Sequence, residues 1–371
     1  MEVRLSHTDP AEVGLDAKRL AEAEELLVSG LEAGEYTAAV YLVARHGKVA
    51  ASGALGRLGR EGTPPAAIDS IFDVASITKP VATASSLLAL VERGEIQLDQ
   101  PIRDFFPERR LPHLSGVTVS HLAAHTSGLP AWRDLYSAAH SHEETIEQLF
   151  QTPLETLPGE KHVYSCLGYI MLGLVIERAS GMSLAESAAE TVFEPLGMAD
   201  TGFNPPQEKS HRIARTANCT YRKGVLIGEV HDANAFAMGG ISGNAGLFST
   251  APDLAAFAQT MLNGGEFEGT RILGARSVEM MLANQIAPSV GGQAYGFFVR
   301  PNGMLWYGDS FSNRVAGHTG YTGTSLLLDP EYDMFVILLT NRVCQSAAAE
   351  DAPDFLNRRR LFHEIIAAAV R

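Results

Sequence analysis

Apolar residues recur at helical spacing from Leu15 to Leu31 with acidic side chains between them, which predicts an amphipathic helix. Two β-rich runs follow, Ala38 to Ala44 and Val49 to Gly56, joined by His46-Gly47-Lys48; they read as a hairpin. The far end of the chain mirrors this arrangement. Ser325 to Asp329 and Met334 to Asn341 are strand-like runs around the turn Pro330-Glu331-Tyr332-Asp333, and a last helix is expected from about Asp354 to Val370. Strands near both termini, each neighboured by a helix, predict one antiparallel sheet with helices on its face.

The middle of the chain has a different periodicity. Val81 to Arg93, Val119 to His125, Glu143 to Gln151, Leu167 to Ala179 and Leu184 to Val192 read as helices. Connections such as Leu157-Pro158-Gly159 and Glu194-Pro195-Leu196-Gly197 separate them. The expected organisation is therefore an α/β (α+β) fold in parts: residues 1–79 as the first part of an α/β domain, 80–235 as a mainly helical insertion, and 236–371 as the second part. A ligand cleft is expected between the sheet-bearing and helical regions.

Composition narrows the function. The 371 residues can bury a large core, and the apolar share of 46% with a charged share of 19% is that of a globular protein. A net charge of −14 argues against nucleic acid and anionic membrane surfaces as partners, since both need a basic face. The three cysteines (Cys166, Cys219, Cys344) are far apart and suggest neither a disulfide framework nor a zinc site. The polar opening Met1 to His7 lacks the apolar stretch of a signal peptide, so the expected location is cytoplasmic.

The chemistry centres on Ser76-Ile77-Thr78-Lys79, where a strand-like run (Ile71 to Ala75) meets a helix-like one. A serine three residues before a lysine on a first helical turn sets hydroxyl and amine on one face, which can activate the alcohol without a histidine. Gly-x-Ser-x-Gly is absent, which removes the alternative nucleophile elbow. Two further segments supply candidate partners: Tyr164-Ser165-Cys166 at a helix start, and His318-Thr319-Gly320 leading into the strand Ser325 to Asp329.

In these pieces the chain resembles the serine β-lactamase-like superfamily, which includes class C β-lactamases, D-Ala-D-Ala carboxypeptidases, D-aminopeptidases and β-lactamase-fold (family VIII-type) esterases. Phe72-Asp73-Val74-Ala75-Ser76-Ile77-Thr78-Lys79 looks like its nucleophile motif, and Val119 to Leu129, with His125-Thr126-Ser127-Gly128, like its helical-domain signature. Tyr164-Ser165-Cys166 aligns with Tyr-x-Asn, and His318-Thr319-Gly320 with Lys-Thr-Gly. The resemblance implies a penicillin-binding-protein transpeptidase-like fold and a catalytic set of Ser76, Lys79 and Tyr164. It also implies an oxyanion hole from the backbone N–H groups of Ser76 and Tyr321, with His318, Thr319, Gly320 and Cys166 lining the substrate site.

Two departures matter. Cys166 stands where relatives carry an amide that can pair with a substrate amide, and an ester has no such N–H to satisfy. His318 replaces a fixed positive charge with a group mostly neutral near pH 7. Both point toward a carboxylesterase on small esters with weak β-lactam hydrolysis. The alternatives are a D-amino-acid peptidase, DD-carboxypeptidase or β-lactamase, and a non-catalytic ligand sensor or scaffold.

The run Met238-Gly239-Gly240-Ile241-Ser242-Gly243-Asn244-Ala245-Gly246, after His231-Asp232-Ala233-Asn234, is expected to shape the pocket rim, with Asn244 touching substrate. His121 and His125 sit four apart, a spacing metals use, but no acidic partner accompanies them and they read as structural. The chain is thus expected to use no metal or organic cofactor and to act on a small-molecule ester or amide; a homo-oligomer is allowed for.

Overall fold

The computed structural model describes residues 5–139, 141–219, 221–222, 224–301, 307–344 and 353–371. Six antiparallel strands form the main sheet, in the order Phe298–Val299, Ala316–Thr319, Ser325–Asp329, Met334–Thr340, Ala38–Arg45 and Lys48–Gly56. The central pairing joins the chain's two ends, running from Ala39 opposite Thr340 to Arg45 opposite Met334. The expected hairpin turn is tighter than read: Lys48 already belongs to the second strand, and His46 and Gly47 turn the chain with φ of 53° and 71°. Positive φ at both central residues matches the right-handed twist of the flanking strands.

Side chains alternate across this sheet. Val40, Leu42, Leu326, Leu328, Ile337 and Leu339 face one apolar cluster, which continues into the helical region. Tyr41, Val43, Leu327, Val336 and Leu338 face the other, against Leu20 and Leu27 of helix Ala17–Glu32 and Phe362 and Ile366 of helix Pro353–Ala367. Arg358 ties these terminal helices together, with Nε and Nη2 each donating at 2.8 Å to the carboxylate of Glu35. The antiparallel sheet with flanking helices agrees with the fold class read from sequence.

The buried helix Cys166–Ser180 starts at Ser165, whose hydroxyl accepts the N–H of Gly168, and packs against Ser85–Glu92 and Leu184–Ala188. Helix Ala251–Leu262, not anticipated from sequence, lies on the sheet beside Met334–Thr340. Among the described residues, no single helix is long and apolar enough to cross a membrane; Cys166–Ser180 with Leu184–Phe193 reaches that length only as a pair bent by 81°.

Candidate active site

Ser76 sits in the short 3₁₀ turn Ala75–Ile77, immediately ahead of a π-helical segment, Lys79–Ala84, that runs into Ser85–Glu92. Pro80 explains the irregularity, because it has no N–H for the bond back to the preceding turn. The turn is braced from several sides. Asp73 accepts the N–H of Ala75 at 2.8 Å and that of His231 at 2.7 Å. Burial pushes the Asp73 carboxyl up to about 6. Ala75 holds φ 48°, a conformation uncommon for a residue with a Cβ, and so aims the nucleophile segment through local strain.

The side chain of Lys79 is fully buried and reaches back one turn. Nζ lies 3.0 Å from Ser76 Oγ, 2.9 Å from the carbonyl of Asn244 and 3.7 Å from Cys166 Sγ. Desolvation lowers its pKa below the ordinary lysine value, opposed by Cys166 and Asp232. Ser76 is near enough to the Tyr164 phenol to favour its ionised form, and Lys79 Nζ stands 4.9 Å from the Tyr164 ring centre. Burial raises this phenol well above its ordinary value, so it stays protonated at neutral pH. The three residues expected to form the catalytic set thus meet at one point, and both Ser76 and Tyr164 are partly exposed to solvent there.

Strand Ala316–Thr319 closes the opposite wall. Thr322 Oγ1 donates to the carbonyl of Asp73 at 2.7 Å, and Thr324 Oγ1 to that of Val74 at 3.1 Å. A Cβ on Gly320 would stand 2.5 Å from the Val74 oxygen and 2.1 Å from Thr324 Oγ1, so glycine is what lets strand and nucleophile turn touch. Tyr321 follows on the exposed lip, stacked 5.3 Å from the ring of His231. Arg359 of the C-terminal helix donates to the carbonyls of Gly320 and Thr324 at 3.3 and 3.2 Å.

The predicted lining residues divide. Cys166 and Thr319 are partly exposed, whereas His318 is 2% exposed and Asn244 1%. His318 donates from Nδ1 to the carbonyl of Thr319 at 2.9 Å and stacks on Phe298 with ring centres 4.9 Å apart. Its Nε2 meets no hydrogen-bond partner among the described residues. Burial, reinforced by the charge of Lys79, lowers its pKa to about 3, so the ring is neutral. Asn244 serves the site through its backbone, since its amide oxygen is taken by Ser242 at 2.8 Å. The glycine run packs on the buried helix: a Cβ on Gly243 would fall 1.9 Å from the carbonyl of Tyr169.

Sequence reasoning missed three contributors to this site. Asp73 carries the signal of an acid whose side chain caps the backbone two residues on, the mark of an Asx turn. His125 lay in the helical-domain signature but was read as structural, and Arg359 carried no signal, because its contacts arise from a segment distant in sequence.

The Beta-lactamase family model matches residues 23–357. The chain is 30% identical over 374 residues to a putative D-alanyl-D-alanine carboxypeptidase of Escherichia coli (strain K12), covering 91% of this chain and 86% of the relative. It is 31% identical over 363 residues to an N-acetylmuramyl-L-alanine amidase of Bacillus subtilis (strain 168), covering 88% and 81%. The structure is similar to that of a penicillin-binding protein homolog from Caulobacter crescentus, with a TM-score of 0.75 and 21% identity over 96% of this chain and 99% of the other. A match spanning nearly the whole chain, on this fold, makes the protein a member of the Beta-lactamase family, among the serine hydrolases of the β-lactamase and penicillin-binding-protein fold.

Proposed function

We propose that the protein is a carboxylesterase that cleaves small esters through an acyl-enzyme on Ser76. Ser76 Oγ attacks the ester carbonyl carbon while Lys79, as the free amine, takes the hydroxyl proton. The lowered pKa of Lys79 and the raised pKa of Tyr164 favour this order over a tyrosinate base. The N–H groups of Ser76 and Tyr321 hold the oxyanion, where one lost donor costs about 3–4 kcal/mol. On collapse, the proton passes through the Tyr164 hydroxyl to the departing alkoxide. Water then attacks the acyl carbon by the reverse relay, releasing the acid and restoring Ser76.

The observation that carries this reading is His318. Its Nδ1 proton is spent on Thr319 and its ring is uncharged, so it offers no cation to a substrate carboxylate. Cys166 in place of an amide leaves the N–H of a peptide or lactam without its partner. A neutral ester needs neither group. Three free cysteines keep a reducing, cytoplasmic setting as our reading.

A second reading, hydrolysis of D-alanyl peptides, is supported by the carboxypeptidase and amidase names of relatives aligned along most of the chain. Parallel kinetics on p-nitrophenyl butyrate, a chromogenic cephalosporin and a D-Ala-D-Ala peptide separate the two. The ester should lead in kcat/KM; a lead of orders of magnitude for the peptide or the cephalosporin would refute the choice. An alkylphosphonate adduct seen by intact mass and absent in Ser76→Ala separates any hydrolase from a non-catalytic sensor.

A further inference from the structure

His125 takes no part in the proton transfers above, yet it grips the segment that carries Tyr164 from both sides. Its carbonyl accepts the N–H of Val163 at 2.9 Å. Its Nδ1 accepts the N–H of Ser165 at 3.0 Å. Tyr164 lies between these two bonds, and its ring sits 4.6 Å from the imidazole, centre to centre. The other side of the site is equally tied down: Tyr169, whose ring is 4.8 Å from His125, donates to the carbonyl of Ala123 at 2.8 Å and accepts the N–H of Gly296 at 2.9 Å.

The residue is costly to hold this way. His125 is 1% exposed and adopts φ 56°, a left-handed conformation worth roughly 1–2 kcal/mol against a residue with a Cβ. Accepting at Nδ1 fixes the neutral tautomer with its proton on Nε2. Burial keeps its pKa well below the ordinary value, so Nδ1 stays an acceptor. Packing alone would need neither an acceptor at Nδ1 nor this backbone conformation.

We propose that His125 is the positioning residue of Tyr164: an imidazole acceptor that locks the backbone of residues 163–165 so that the phenol meets Ser76. The proposal rests on the reading of Tyr164 as the proton relay.

The test compares His125→Asn, His125→Gly and His125→Gln by p-nitrophenyl butyrate kinetics, with folding followed by thermal melting. Asparagine tolerates positive φ and sets its Oδ1 where Nδ1 was, so kcat should stay within about threefold. Glycine relieves the backbone but removes the acceptor, and should lower kcat by about 30-fold or more with KM within about twofold. Glutamine, bulkier than glycine but with its amide one bond too far out, should fall likewise and serves if the glycine variant does not fold. In a Tyr164→Phe background the same change should cost less than about threefold, because the effect acts through the phenol. Equal losses for asparagine and glycine, no loss for glycine and glutamine, or an undiminished loss in the Tyr164→Phe background would each overturn the proposal. Should Tyr164→Phe alone leave kcat unchanged, the relay reading itself has failed and the positioning role falls with it.

Discussion

Replacing Gly320 with alanine tests how tightly the sheet is docked on the nucleophile turn. The added Cβ would lie 2.5 Å from the Val74 carbonyl, 2.1 Å from Thr324 Oγ1 and 3.3 Å from the Cβ of Ala75. Ordinary contact begins at 3.4 Å, so strand and turn must part by about 0.9 Å at Val74. That displacement falls on the peptide joining Gly320 to Tyr321, whose N–H we propose for the oxyanion hole. A misplacement of about 1 Å is worth about 10²-fold in rate, or about 2.7 kcal/mol of transition-state stabilisation. Gly317→Ala, within the strand Ala316–Thr319 that leads to Gly320, is the control. Its Cβ would press mainly on the flexible Leu327 side chain, at 2.1 Å from Cδ2, and away from the turn. Both variants should lose about 1–3 kcal/mol of stability by overpacking. Acylation by p-nitrophenyl butyrate in stopped flow, alongside thermal melting, separates the outcomes: kcat should drop about 100-fold for Gly320→Ala and less than about threefold for Gly317→Ala. Equal activity in the two variants at comparable melting temperatures would refute the docking argument.

Because burial lowers the pKa of Lys79, the reactive free amine should persist below the ordinary lysine range. A pH profile of kcat/KM should then fall on the acid side as Lys79 protonates, with a midpoint under 10.5; a flat profile there excludes Lys79 as the base. The same shift means the folded chain binds fewer protons than the unfolded one, so its contribution to stability grows as pH rises toward the ordinary lysine value, measurable by denaturant titration. Cys166→Asn should raise the amide-to-ester ratio of kcat/KM by about tenfold through a newly satisfied substrate N–H, read on the substrate panel. Glu35→Ala removes both carboxylate bonds to Arg358 and should cost about 1–3 kcal/mol in urea unfolding while leaving kcat/KM unchanged.

The strands at the two chain ends were legible because alternation survives wherever each face meets a separate core, as at Val40 and Tyr41. Helix Ala251–Leu262 was not, since its buried residues run almost unbroken from Ala251 to Met261 and no polar face marks a period. The strand-like run at Ile71 to Ala75 shortened to Phe72–Asp73, because the backbone turns at Ala75 to present Ser76. Spacing sufficed to nominate Ser76 and Lys79, one turn apart on one segment. The buried state of His318 and the reliance on the Asn244 backbone lay beyond reach, because both depend on which neighbours the fold brings up behind them.

Pairing of Ala38–Arg45 with Met334–Thr340 has a consequence during synthesis. Nearly three hundred intervening residues must leave the ribosome before the first strand finds its partner, and the wall bearing Tyr321 arrives equally late. A nascent chain therefore carries Ser76, Lys79 and Tyr164 long before it carries the strands that hold them in place, and hydrolytic competence should appear only once Ala316 to Thr340 have emerged.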